Sequence, residues 1–143
     1  MTFRPPAEPI RLTHCIGTAR IGGAEKQLVE LICRLPRDRF RQSLVLISAV
    51  GPLIDRVRAA GCEVVDLGKG IRRTGPRIWR SYGALARRLG RFVRHLRERR
   101  PHILHGQLYW ANILSVAAGR LSGVPIIMTS RLDLGDEDRK SVV

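Results

Sequence analysis

The chain has 143 residues, 44% of them hydrophobic, and a formal net charge of +14. A domain of that size buries roughly 70% of its unfolded surface, so a core can form without disulfide or metal staples. No apolar run of about 18 residues is present, which argues against a spanning helix, and residues 1–9 lack the apolar stretch of a secretory signal.

Residues 1–9, with three prolines, read as an extended leader. Ile10–Ile16 is predicted to be the first strand, running into a turn that carries Gly17, Gly22 and Gly23. A helix is expected over Gly23–Leu35, with Leu28, Leu31, Ile32 and Leu35 on one face, Glu25 in the first turn and Pro36 as its stop. Ser43–Ser48 is a nearly continuous apolar strand, the pattern of a strand covered on both faces. Pro52 suits the start of a short helix over Leu53–Ala60, closed by Gly61, and Glu63–Leu67 is the third strand.

A basic, glycine-containing loop, Gly68–Pro76, leads to a long helix, Arg77–Arg99. Ile78, Tyr82, Leu85, Leu89, Phe92 and Leu96 recur there at helical spacing, with arginines on the other face. Ile103–His105 is the fourth strand, Tyr109–Leu121 a helix of small residues closed by Gly123, and Pro125–Thr129 the fifth strand. Residues 136–143 form a polar tail or a truncation point. This alternation implies right-handed β-α-β units in an α/β, Rossmann-like, doubly wound parallel sheet over residues 10–135. The expected order is 3-2-1-4-5, with the ligand crevice at the carboxyl ends of strands one and four.

The Gly22-Gly23 turn presents unpaired backbone N–H groups and a positive helix end, where phosphates and other anions bind. Two adjacent glycines also permit positive φ and a close ligand approach. The turn is neither a dinucleotide fingerprint nor a nucleoside triphosphatase loop. The second strand ends at Ser48-Ala49 without a carboxylate, and Gly23-Ala24 replaces the lysine and hydroxyl. A tight turn without a ligand is the alternative. Cys15, Cys33 and Cys62 form no C-x-x-C pair and fall at apolar positions, so buried free thiols in a reducing cytoplasm are expected. No His or Cys spacing suggests a metal, and no cofactor is expected.

Between Lys69 and Arg100 lie twelve basic residues and one acid, Glu98. A basic helix of this kind either covers the sheet with a solvated outer face or docks on an anionic membrane through Arg80, Arg87, Arg88, Arg91 and Arg94. Nucleic acid is the less favoured partner, because aromatics are only 5% of the chain and Trp79, Tyr82 and Phe92 fall on the apolar face.

Three stretches, in order, resemble the N-terminal domain of glycosyltransferase family 4 enzymes of the GT-B fold. They are Gly22-Gly23-Ala24-Glu25, then Gly51-Pro52-Leu53 through Ala60-Gly61-Cys62-Glu63-Val64, then Arg100-Pro101-His102-Ile103-Leu104-His105 through Asn112. Gly123-Val124-Pro125 and the strand to Arg131 continue the likeness, which covers residues 10 to 135. It implies retaining transfer of a sugar from a nucleotide-sugar donor to a glycan or lipid-linked acceptor. It puts Gly22 and Gly23 under the donor phosphates and sugar, and makes His105 and Gln107 the candidate catalytic positions, with Tyr109, Asn112 and Arg131 on the acceptor side.

The family's second histidine after this strand is Gln107 here, which can position a hydroxyl but cannot titrate near neutral pH. The family's E-x7-E pair, held by a second domain, has no counterpart among the glutamates. A fragment, inactive alone and missing its C-terminal domain, is therefore expected. Its expected location is the cytoplasm, with peripheral attachment to the inner face of the plasma membrane as a further option. A non-catalytic basic module on the same sheet, or a related GT-B sugar epimerase, is the alternative.

Overall fold

The computed structural model describes residues 7–69 and 77–130, and the side chains of 77–81 lie outside that description. The leader up to residue 6, the loop 70–76, Arg131 and the polar tail therefore fall outside it. The elements are β1 (Ile10–Ile16), α1 (Gly23–Arg34), β2 (Phe40–Leu46), α2 (Leu53–Ala59) and β3 (Glu63–Asp66), followed by α3 (Arg77–Arg99), β4 (Ile103–Gln107), α4 (Tyr109–Ser122) and β5 (Ile126–Ser130).

All strand pairs are parallel and the order is β3-β2-β1-β4-β5, as the alternation of elements implied. β1 is central and its side chains alternate between two cores. Ile16 joins Leu28, Val29, Ile32, Leu44, Leu46, Ile54 and Val57 under α1 and α2. Cys15 joins Val45, Phe92, Leu96, Leu104, Leu114 and Ala118 under α3 and α4. Small residues let α4 approach the sheet: a side chain at Gly119 would meet Ile127 and Leu104. Gly123, left-handed at φ 71°, ends that helix as the glycine rule requires.

Several expectations are corrected. β2 begins at Phe40, three residues early, because its polar start pairs in register with β1 from Ile10↔Phe40 onward. β4 runs two residues longer, to Gln107. Leu31 is exposed, since α1 buries a narrower stripe of Leu28, Val29 and Ile32. Cys33 is exposed on the outer side of α1, whereas Cys15 and Cys62 are buried, their thiols pushed up to about 12 chiefly by burial. Tyr82 is 69% exposed and Leu85 50% exposed, so neither is core. Among the described residues no helix is long and apolar enough to cross a membrane.

The sheet's C-terminal rim is knit by backbone bonds. Ile47 and Ser48 donate to the carbonyls of Ile16 and Gly17, at 3.2 and 3.0 Å. Ala19 N–H donates to Val50 O at 2.9 Å, and Leu53 N–H donates to Ala19 O at 3.2 Å. Gly51 closes this brace at φ +131°, and a Cβ there would run into the Ala19 backbone, so a side chain faces both strain and collision. Gly51→Ala is expected to lower unfolding free energy by about 2 kcal/mol or more, whereas Gly23→Ala should change it by about 0.5 kcal/mol or less. Urea denaturation of the two variants checks this.

Candidate functional site

The rim braced in this way carries the β1–α1 corner. Gly22 caps α1 with extended backbone (φ −137°, ψ 171°) and no side-chain bond. Lys26 N–H donates to Gly22 O at 3.0 Å, so α1 is closed from its first turn and the N–H groups before Lys26 face outward. Neither glycine uses positive φ, contrary to one reason offered for the pair; the positive-φ glycines among the described residues are Gly51, Gly61 and Gly123. A side chain on Gly22 would meet the Glu25 carboxylate, which folds back over the helix start. A side chain on Gly23 would meet nothing within 4 Å. The corner is thus open over Gly23 but covered over Gly22 by the Glu25 carboxylate, and neither strain nor packing demands glycine at 23.

β4 sits beside β1 and brings its own end to the same rim. The register sets His105 opposite His14, a residue that no motif had singled out. Both rings lie on the α1 side of the sheet, edge to face at 5.4 Å between centroids, with Nδ1 to Nδ1 3.2 Å. Gln42 on β2 extends the chain: its Nε2 donates to Ile32 O at 3.0 Å, which turns its Oε1 toward His14 Nε2 at 3.1 Å. His14 is fully buried, and its pKa is held down to about 4, first by burial and then by the neighbouring His105, with the Gln42 bond opposing. A neutral His14 that donates from Nε2 must accept at Nδ1. His105 therefore donates from Nδ1 and keeps a bare Nε2, a hydrogen-bond acceptor. Burial also lowers the pKa of His105, so an acid role near neutral pH does not fit it.

Gln107, at the end of β4, has its Oε1 buried and unpartnered among the described residues. Leu108 follows with φ 70°, a strained conformation for a non-glycine residue, and starts α4. Asn112 Nδ2 donates to Ser130 O at 2.9 Å, so this residue ties α4 to the end of β5. Its Oδ1, buried like Ser115 Oγ, lies where a side chain on Gly106 would reach. Tyr109 is exposed, edge-on to Trp110 at 5.3 Å. Together Tyr109, Asn112, Ile113, Arg120 and Thr129 line a groove of about 890 Å³ on the β5 side of α4. The structure thus brings Gly22, Gly23, His105 and Gln107 to one rim and sets Tyr109 and Asn112 on a groove beside it.

Of the five helix arginines, the Arg80 side chain lies outside the described residues, and the other four do not share one environment. Arg87 and Arg94 are exposed. Arg88 is half-buried with an unpartnered Nε among the described residues. Arg91 donates to the carbonyls of Leu67 and Lys69. Among the described residues no cluster of three or more His, Cys, Asp or Glu could hold a metal ion.

A parallel sheet of this order, with an uncapped helix start at its central crossover, defines a Rossmann-like domain of the kind that meets ligands at the carboxyl ends of its strands. The Glycosyl transferase 4-like domain matches residues 22–142, and the chain belongs to that family. Among solved structures, a glycosyltransferase from Rickettsia africae ESF-5 superposes with a TM-score of 0.62 at 9% identity. The match covers 85% of this chain and 29% of that one, so the chain spans under a third of that structure's length. Comparison with curated proteins gives no match.

The buried histidine makes stability depend on pH. The unfolded chain protonates His14 near pH 6.5, and the folded chain only near pH 4. Between these values the unfolded state binds more protons, so stability is fully present above pH 6.5 and is lost as pH falls toward 4, by up to roughly 3 kcal/mol. His95 and His105 are also lowered, chiefly by burial, and act in the same direction. Urea midpoints between pH 7 and pH 4.5 should fall accordingly (about that window), with a flatter profile in His14→Asn.

Proposed function

We propose that this chain forms the acceptor-side domain of a retaining glycosyltransferase, which moves a sugar from a nucleotide-sugar donor to a glycan or lipid-linked acceptor. The observation that carries this reading is the β1–α1 corner. An uncapped helix start, held rigid by the Ala19–Gly51 brace, has open space over Gly23 although no steric or conformational reason excludes a side chain there. A diphosphate bound at that corner meets fixed N–H donors as charge develops on the leaving group, which needs no reorganisation at the moment of transfer. Glu25 must swing clear for a phosphate to bind, and its side chain is half-exposed.

The β4 end supplies the neutral contacts. His105 Nε2 accepts a hydroxyl proton without taking it, and Gln107 Oε1 gains the partner that burial otherwise denies it. Tyr109 and Asn112 border the acceptor groove, and Arg131, next along the chain after β5, is a candidate contact for an acceptor phosphate. On this reading a second domain covers the donor at the corner, and transfer is expected to require it.

In a polypeptide that also carries a second Rossmann-like domain, Gly23→Val is expected to lower kcat/KM with UDP- or GDP-sugars by about 100-fold or more while the melting temperature stays close to that of the parent. Unchanged kinetics would remove the corner from the site, and sugar transfer by the present chain without a second polypeptide would refute its role as a half-enzyme.

A further inference from the structure

The opposite end of the sheet holds a second cleft. It lies below the starts of β1 and β4, where α3 and α4 both end. Arg11, Arg97, Arg100, His102, Gly123 and Pro125 are among the residues around its volume of about 540 Å³. Nearly the whole of β1 separates Arg11 from Gly17, which sets the cleft about 20 Å from the β1–α1 corner.

The cleft gathers donors that lack an acceptor. Arg11 N–H donates to His102 Nδ1 at 3.0 Å, so a neutral His102 carries its proton on Nε2. Arg11 Nη2, which can only donate, stands 3.1 Å from that same Nε2. Two N–H groups therefore face each other, and an oxygen placed about 2.9 Å from both would accept from each. Arg11 Nε donates to Arg100 O at 2.8 Å, and Arg97 Nη2 donates to Leu121 O at 3.2 Å. These bonds offset the negative ends of α3 and α4, and each guanidinium keeps further N–H groups. Among the described residues, the one carboxylate paired with these cations is Glu8, 3.9 Å from Arg11 and 83% exposed. Arg100 adds a backbone signal. It follows α3 at φ 46°, the left-handed position that Gly123 fills after α4. A side chain is strained there, and glycine would end α3 more easily.

We propose that Arg11, Arg97, Arg100 and His102 form a binding site for a phosphate dianion, either free phosphate or the phosphoryl group of a small ester. One phosphate oxygen takes the facing Arg11 and His102 N–H groups, and the others meet the Arg97 and Arg100 guanidiniums. Guanidinium forks match the several acceptor oxygens of a phosphate, and the dianion offsets the mutual repulsion of the three cations. The cleft is large enough to hold the organic part of a small ester as well. The site lies at the far end of the sheet from the β1–α1 corner and does not depend on the glycosyltransferase reading.

Amide NMR of the full chain, titrated separately with inorganic phosphate and with glycerol 3-phosphate at constant ionic strength, tests the site. Saturable shifts are expected at Arg11, Arg100 and His102. Tighter binding of the ester identifies an esterified ligand, and equal binding identifies the free ion. Arg100→Gly should weaken binding about tenfold or more, with a melting temperature equal to the parent's or higher, because glycine accepts the backbone conformation without strain. His102→Asn retains an acceptor for Arg11 N–H but removes the Nε2 donor, and should also weaken binding about tenfold. Arg58→Gln, on α2, makes the same change in net charge as Arg100→Gly and should bind like the parent. Absence of saturable shifts at Arg11, Arg100 and His102 overturns the proposal. An equal loss in Arg58→Gln also overturns it, because net charge alone then suffices. Shifts at Gly22 and Gly23 report phosphate at the β1–α1 corner, so the two sites succeed or fail separately.

Discussion

Strand β1 is hydrogen-bonded along both edges, to β2 over its whole length and to β4 over Leu12–Cys15. A central parallel strand has no free backbone polar groups to trade, so its register decides what stands at the rim. That register carries the chain out of the sheet at Gly17, and the Ile47 and Ser48 amides then hold the carbonyls of Ile16 and Gly17. The next contact, Ala19 against Val50, Gly51 and Leu53, stops the connection from collapsing onto the sheet end. What remains is a short, rigid corner with its helix start facing outward. The catalytic reading depends on that rigidity, since fixed dipoles stabilise charge only when they need not reorient.

The same register creates the His14–His105 pair. Two imidazoles in van der Waals contact within a parallel sheet could both ionise only at great cost, and burial keeps His14 neutral. Gln42 orders the protons along the row, because its own amide is committed to the Ile32 carbonyl. A chain of neutral hydrogen bonds thus runs from α1 through β2 and β1 to β4 and ends at a bare nitrogen on His105. The arrangement couples the helix that carries Gly23 to the strand that carries Gln107. A neutral histidine placed in this way offers an acceptor nitrogen to a hydrogen-bond donor.

The arginines divide by location rather than by count. Where α3 lies over the sheet, Arg97 donates to Leu121 O and Arg99 to Glu63, so these cations tie the helix to its neighbours. Nearer the start of α3, no ion pair among the described residues neutralises Arg87. A net charge of +14 is therefore not a uniform property of the surface.

Element order, the parallel class and the sheet order were legible in the sequence. Each rests on local physics: apolar runs of strand length, prolines and glycines at helix ends, and the handedness of β-α-β units. The Gly22-Gly23 helix start was legible for the same reason. Only the tertiary structure decided the rest. Pairing His14 with His105 required the register of two strands 91 residues apart, which no periodicity encodes. The exposure of Tyr82, Leu85 and Cys33 depended on where neighbouring elements stop, since an apolar stripe records what a helix can bury and not how far its cover extends. At the rim, Gly51 and not Gly22 proved to be under conformational constraint, because only the folded chain brings the Ala19 backbone against it.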